Sequence, residues 1–428
     1  MKKAIALTLA AAMMLSMAAC SNGGETTSDG SSTTVANKDK PLVWFNRQPS
    51  NSSTGELDMT ALNFNKDTYY VGFDANQGAE LQGTMIKDYI QKKLEAETPE
   101  TEDPIDRNGD GVIGYILAIG DIGHNDSIAR TRGVRQALGT GVEVDGAINS
   151  APIGTNIDGT STFVKDGSIE VNGKTYVVRE LASQEMKNTA GATWDASTAG
   201  NAISTWAASF GDQIDVVVSN NDGMGMAMFN AWSKENKVPT FGYDANKDAV
   251  AAIAEGYGGT ISQHADVQAY LTLRVLRNAL DGVDVNTGIS TPDAAGNVLS
   301  EDVYRYSAEE RSYYALNVAV TSDNYQDYTD STKVYEPVSN QLDTETSPTK
   351  KVWLDIYNSA DNFLSSTYQP LLQKYDDLLN LSVDYIGGDG QTEANITNRL
   401  SNPSQYDAFA INMVKTDNAT SYTTILGQ

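Results

Sequence analysis

Tyr115-Ile-Leu-Ala-Ile-Gly-Asp-Ile-Gly-His-Asn-Asp-Ser-Ile-Ala-Arg130 sets a pattern that recurs along the chain. Tyr115 to Ile119 run apolar without alternation, which predicts a strand covered on both faces. A polar, glycine-bearing loop follows, and then Asn125 and Asp126, residue types that favour turns and helix starts. Leu42–Phe45, Val216–Val218, Thr240–Tyr243, Val352–Ile356 and Ala408–Ile411 read as further buried strands, each followed by polar residues. Asp266 to Leu280 is an amphipathic helix, with Tyr270, Leu271, Leu273, Val275, Leu276 and Leu280 on its apolar side. Strand, loop and helix in alternation predict an α/β protein with doubly wound parallel sheets. Ligands of such sheets lie beyond the carboxyl ends of the strands.

The residues at those ends are chemically uniform. Asn46-Arg47 follow the first strand, and His124, Asp126 and Arg130 follow Ile119. Asn220-Asn221-Asp222 follow Val218, Asp244 follows Tyr243, and Asp361-Asn362-Phe363 come after Ile356. Trp194-Asp195 come after the Val177–Leu181 segment and its loop. A buried pyranose asks for such a set. Each hydroxyl donates and accepts, so it pairs with Asp, Asn, Arg and His. The apolar C–H faces of the ring stack on aromatic rings, here Trp194 and Phe363.

The ends and the composition narrow the class. Lys2 and Lys3 precede an apolar run, Ala4 to Ala19, that ends Leu15-Ser-Met-Ala-Ala-Cys20. This predicts a signal peptide over residues 1–19 and a mature chain beginning at a lipid-bearing Cys20. Residues 20–40, rich in Ser, Thr, Gly and Asp, predict a flexible tether. The localisation expected is extracytoplasmic, at the outer face of the cytoplasmic membrane. The net charge is −26, from 56 acidic and 30 basic residues. That field repels phosphate backbones and excludes nucleic acid as a partner. Two histidines and one cysteine make a zinc or iron enzyme a poor fit.

The matching stretches are Pro41-Leu-Val-Trp-Phe-Asn-Arg-Gln-Pro-Ser50, Tyr69-Tyr-Val-Gly-Phe-Asp74, Gly123 to Arg130, Ala192-Thr-Trp-Asp195, Ser219-Asn-Asn-Asp222, Phe241-Gly-Tyr-Asp244, Asp361-Asn-Phe363 and Ala410-Ile-Asn412. On these the chain resembles the periplasmic galactose/glucose-binding proteins, type I substrate-binding subunits of ABC importers. The resemblance implies a sugar capture protein, not an enzyme, that works as a monomer with an ABC permease. A chemoreceptor is a further partner. It implies that Asp361 accepts from sugar hydroxyls, that Phe363 and Trp194 stack on opposite ring faces, and that Asn46, His124, Asp126, Arg130, Asn221 and Asp244 complete the polar shell. Gln263 stands where the family has asparagine, one methylene longer with the amide kept.

Asp106-Arg-Asn108-Gly-Asp110-Gly111-Val112 matches the first half of an EF-hand calcium loop, with oxygens at positions 1, 3 and 5, glycine at 6 and the Val112 carbonyl at 7. Position 12 is Leu117, so an ordinary hand is excluded. The resemblance implies that Asp215 closes the site over residues 106–114, where the family has the longer Glu. Gly114 replaces a family Gln. A structural calcium points to the hexose branch.

The order of the pieces departs from the family. Val352 to Leu426 matches its amino-terminal segment, so the chain reads as a circular permutation. The expected lobes are residues 41–72, 264–314 and 351–428 for one, and 73–263 with 315–330 for the other. A polar linker over 331–350 joins the old ends across at most about 60 Å. Three crossings form the hinge of a periplasmic-binding-protein type I fold. The rival class is a secreted glycoside hydrolase using Asp126 and Asp244. Neighbouring Asn, Arg and His are expected to keep both of these ionised, which argues against it. A transcriptional repressor of the same core fold would need a basic DNA-reading segment, which the chain lacks.

Overall fold

A computed structural model describes residues 36–50, 57–98, 101, 104–154, 162–234, 236–329, 338–357, 361, 363–387, 393–413 and 418–427. The expected leader, Cys20, most of the tether, residues 331–337 of the linker and Asn362 lie outside the described residues. Ala36–Gln428 forms one compact unit built on two principal sheets.

The first sheet has seven strands. Their spatial order is Tyr304–Ser307, Ser312–Ala315, Thr68–Phe73, Leu42–Asn46, Ala408–Ile411, Lys350–Ile356 and Leu381–Gly387. All neighbours are parallel except the first pair. All five residues of Leu42–Asn46 are buried, and they divide by the two-residue period of a strand. Val43 and Phe45 join one apolar cluster with Leu271, Val275 and Leu354. Leu42 and Trp44 join another with Trp353, Phe409 and Tyr422. Both faces are therefore covered, which is why the run is apolar throughout. Each such side chain contributes about 1.5–3 kcal/mol by leaving water.

The second sheet orders Gly167–Val171, Lys174–Glu185, Val112–Ile119, Val216–Ser219 and Thr240–Phe241. Only its first pair is antiparallel. Ile113, Tyr115, Leu117 and Ile119 face one cluster, and Ile116 and Ala118 the other. The chain passes between the sheets after Phe73, after Ser262 and after Ala315, and the short strands Thr260–Ser262 and Val318–Val320 pair antiparallel beside the last two passages.

Numbered from Lys350–Ile356 onward and continued at Leu42, the first five strands of the first sheet stand in the order 2-1-3-4-5, a common doubly wound arrangement. The Tyr304–Ala315 hairpin adds to the far edge. The first strand of the chain thus lies against its last, with Leu42 opposite Phe409 and Trp44 opposite Ile411. Residues 338–350 of the expected linker run mostly exposed but touch the core at two points. Val338 and Leu342, four residues apart, enter the first sheet's apolar cluster, and Leu342 exchanges bonds of 2.9 Å with Leu378 and Asn380. No described helix is long and apolar enough to cross a membrane.

Candidate functional site

Helix Asn125–Ala137 begins at His124, whose Nδ1 accepts the Asp126 N–H at 3.2 Å. Nδ1 must therefore be bare, which leaves Nε2–H as the donor. Burial pushes the His124 pKa down to about 4; Asp126 opposes this, and Arg47 and Arg130 add to it. The ring is neutral at pH 7. Trp194 stands edge-on to it, with centroids 5.2 Å apart.

Trp194 has φ of +59°, a costly conformation for a bulky residue. Its N–H donates to the Gly120 carbonyl at 3.2 Å. A Cβ on Gly120 would lie 2.5 Å from Trp194 Cδ2 and closer still to the outer ring, so only glycine admits the indole here. Asn46 and Asp244 also have positive φ, of 60° and 109°. Strained backbone gathers around this point, as it does at ligand sites generally.

Asp126 forms ion pairs with Arg47 and, at 3.6 Å, with Arg130. Arg130 is 1% exposed. Its Nη1 donates to the Asn220 carbonyl at 2.7 Å, its guanidinium lies 3.5 Å from the Tyr243 ring centre, and Asp244 is 3.8 Å away. Burial raises the Asp126 pKa, but Arg47, His124 and Arg130 outweigh it and hold the group below the usual carboxylate range. Asp244 behaves oppositely. Burial pushes it up to about 7 against Arg130 and Arg47, Asp361 adds to the rise, and the Gln263 bond resists it. The expectation that both carboxylates stay ionised therefore holds for Asp126, whereas burial raises Asp244 into the neutral range despite its pairing with Arg130, because it lacks the direct Arg47 contact that Asp126 has.

An amide chain joins the far side. Gln263 Nε2 donates to Asp244 at 2.8 Å, and its Oε1 accepts from Asn46 Nδ2 at 3.3 Å. Asn46 also bonds Gln268 at 3.3 Å and accepts from Asn412 at 3.2 Å. The longer Gln263 thus still reaches the carboxylate.

Contacts therefore join Asn46, His124, Asp126, Arg130, Trp194, Asp244 and Gln263. Asp361 belongs by its field, acting on Arg47, Asp244 and Tyr357, while its Oδ1 accepts from Leu364 N at 3.0 Å. Phe363 packs into the apolar cluster of the first sheet, its ring 5.9 Å from Tyr368. Asn221 caps helix Asp222–Ala231 through Met224 N at 3.0 Å. Its neighbour Asn220, fully buried, ties the two strand ends together. It accepts from Gly120 N at 3.1 Å and Ser127 Oγ at 2.6 Å. Arg47 stands with Asn46 among the strand-end residues but has no place in the expected polar shell. Its adjacency to Asn46 at a strand's carboxyl end was the available signal.

In the 106–114 loop, Asp106 Oδ2 accepts from Gly111 N at 2.9 Å, Asn108 Oδ1 from Asp110 N at 3.1 Å, and Asp110 Oδ1 from Val112 N at 2.8 Å. Asp106 Oδ1 is buried without a hydrogen-bond partner. Asp215 sends one oxygen to Arg107 N at 2.9 Å and the other to Gly114 N at 2.7 Å. Among the described residues no group of three or more His, Cys, Asp or Glu side chains is disposed to hold a metal.

A family model described as a periplasmic binding protein domain matches residues 37–284, and a second of the same description matches 349–419. The D-galactose/methyl-galactoside binding periplasmic protein of Haemophilus influenzae is 26% identical over 251 residues, 58% of this chain and 59% of that protein. A xylitol-binding protein of Mycolicibacterium smegmatis is 35% identical over 99 residues, 22% of this chain and 28% of that one. The chain thus spans less than two thirds of either curated relative. Among solved structures, an ABC transporter periplasmic solute binding protein from Actinobacillus succinogenes with bound D-allose aligns at TM-score 0.39 and 17% identity, over 64% of this chain and 69% of that one. A glucose-galactose binding protein from Geobacillus stearothermophilus aligns at TM-score 0.37 and 11% identity, over 66% and 68%.

Proposed function

We propose a function from one premise: the chain belongs to the periplasmic binding protein domain family. It is the extracytoplasmic capture subunit of an ABC sugar importer, and it binds a galactose- or glucose-type hexose between the ends of its two sheets. One observation carries this. Asp126, Arg130, Asp244, Gln263 and Asn46 meet in a single polar cluster beside the His124–Trp194 pair. The ionised Asp126 and the amide chain suit hydroxyls, and the indole suits a C–H face. Calorimetric titration over a hexose and pentose panel tests it. Galactose or glucose is expected to bind near micromolar, about −8 kcal/mol. Heat from no sugar would reject it.

A glycosidase is favoured by one feature, the unequal protonation of Asp126 and Asp244, since such pairs serve as base and acid. Family membership weighs against it, and turnover of aryl glycosides would reverse that judgement.

Three finer parts complete the proposal. The 2-1-3-4-5 strand order supports a circular permutation that opens the fold before Leu42. The orphan Asp106 Oδ1 supports a weak calcium site with Asn108, Asp110, the Val112 carbonyl and Asp215. Because Asp215 is committed to two backbone N–H groups, chelator should lower the melting temperature by only a few degrees; an unchanged melt removes calcium from the account. The anchor at Cys20 is tested by Cys20→Ala, which should move the protein from the membrane to the soluble fraction.

A further inference from the structure

We propose that Tyr243 is a positioning residue that couples the sugar site to the passages between the two sheets: its ring backs the Arg130 guanidinium, and its hydroxyl fastens the chain where it crosses. This role rests on the sugar-binding reading. Tyr243 is fully buried, two residues beyond the end of the strand Thr240–Phe241. The N–H groups on either side of it, of Gly242 and Asp244, donate to the carbonyls of Gly259 and Ile261 at 3.0 and 2.8 Å. Its backbone is thereby tied to the strand Thr260–Ser262, which leads into the second passage.

The side chain reaches the other two passages. Tyr243 Oη donates to Asn317 Oδ1 at 2.8 Å. Asn317 Nδ2 donates in turn to the Asp74 carbonyl at 3.1 Å and to Gln77 Oε1 at 2.7 Å. Asp74 is the first residue past Phe73, and Asn317 lies two residues past Ala315. Phe73 itself packs against the Tyr243 ring, with centroids 6.2 Å apart. Burial holds the phenol well above its ordinary pKa, so it keeps the proton it donates. Gly78 leaves room for this link. A Cβ there would lie 2.0 Å from Tyr243 Oη and 2.9 Å from Asn317 Cγ. Gly78 stands near the start of helix Ala75–Ala96, so a poor helix former is kept where the hydroxyl needs the space.

At its other end the ring lies against Arg130, whose guanidinium is 3.5 Å from the ring centre and pairs with Asp126 and Asp244. All three passages thus meet at one side chain, and that side chain backs a charged group of the site. A shift of the passages moves the ring on which Arg130 rests, and a ligand that fixes Arg130 resists the shift. Linkage makes the two effects equal. Tyr243→Phe keeps the ring under Arg130 and removes the donor that Asn317 Oδ1 accepts, so it cuts only the connection to the first and third passages.

The test is calorimetric titration of the full chain with D-galactose and D-glucose, comparing Tyr243→Phe with the parent, together with hydrogen exchange in the presence and absence of sugar. The variant should bind the preferred sugar about tenfold more weakly. Sugar should slow exchange at residues 74–78 and 316–318 in the parent and have little effect there in the variant. Gly78→Ala, which displaces the hydroxyl from a distance, should weaken binding to a similar degree and carries the same comparison if Tyr243→Phe does not melt cooperatively. Combined with Tyr243→Phe, which vacates the space, Gly78→Ala should add little. An unchanged Kd, equal exchange protection in parent and variant, or additive losses in the double variant overturns the coupling. Absence of heat from the parent with either sugar removes the sugar reading and the coupling together, whereas heat from parent and variant at the same Kd removes the coupling alone.

Discussion

Asp244→Asn is expected to make the sugar-free protein more stable and to abolish its binding, with a pH signature that separates the two effects. Asp244 is 8% exposed, and its pKa is pushed from 3.8 up to about 7, chiefly by burial. Below pH 3.8 the carboxyl is protonated in both folded and unfolded chains, so its ionisation costs nothing. Between pH 3.8 and 7 the unfolded chain releases the proton while the folded chain keeps it. Stability therefore falls as pH rises, by up to 1.36 kcal/mol per unit. Above pH 7 the full penalty is present, about 4 kcal/mol as an upper bound.

Asparagine removes that penalty and keeps an oxygen for Gln263 Nε2. The attraction of Arg130, 3.8 Å away, is already contained in the pKa of about 7, so the penalty is an upper bound on the gain and nothing further is deducted for that contact. A gain of about 1–2 kcal/mol at pH 8, well under that bound, is the order of magnitude expected, about 1–2.5 °C in melting temperature for a chain of this size. Calorimetric melts from pH 4.5 to 8.5 should show the advantage of the variant growing with pH up to about pH 7 and smallest at pH 4.5. An advantage that is constant in pH, or a variant less stable throughout, would refute the picture of Asp244 as a strained, desolvated acid. Loss of galactose binding in the same variant would show that the strain serves recognition.

Gly120→Ala should expel the Trp194 ring, since the new methyl overlaps the indole; sugar affinity is expected to fall at least about tenfold, with 1–3 kcal/mol of stability lost to overpacking. Titration together with indole fluorescence checks this, and an unchanged spectrum refutes it. Asp355 is fully buried, accepts from the Tyr422 hydroxyl and pairs with Arg399 at 3.0 Å. Asp355→Ala should destabilise by about 3–5 kcal/mol in denaturant melts. Deleting residues 404–428 removes Ala408–Ile411 from between two parallel neighbours, so cooperative unfolding should be lost rather than an edge frayed. A sharp melt of the truncated chain would contradict the strand order.

What could be read from the sequence divides along physical lines. Strands covered on both faces announce themselves, because nothing polar is tolerated in them; Leu42–Phe45 and Tyr115–Ile119 are of this kind. Leu381–Gly387 was not legible. It is an edge strand, and Ser382, Asp384 and Tyr385 face partly outward. The Tyr304–Ala315 hairpin hid for a similar reason, its turn being crowded with Glu309, Glu310 and Arg311. At the site, short side chains fixed to strand ends were found by position alone. Of the adjacent Asn220 and Asn221, however, the strand's alternation decides which turns inward, and a one-residue shift exchanges the roles. Arg47 was the hardest. A long side chain reaches wherever its charge is wanted, and its destination, Asp126, lies on another sheet.

The site owes more to the order of strands in space than to their order along the chain. Asn412 and Asn46 are hydrogen-bonded neighbours at the ends of adjacent central strands, although 366 residues separate them. Loop-closure entropy grows only with the logarithm of length, so the whole separation adds a few kcal/mol at most relative to a short connection. Burial of Leu42, Val43, Trp44 and Phe45 against Phe409, Ala410 and Ile411 is of comparable size or larger. Moving the ends to the far side of the sheet is therefore thermodynamically tolerable, provided that the strand pairing Leu42–Phe409 survives. The polar cluster then follows automatically, because Asn46, Gln263 and Asp244 are each placed by the terminus of a strand or by the turn beyond it, and none is placed by the point at which the chain begins.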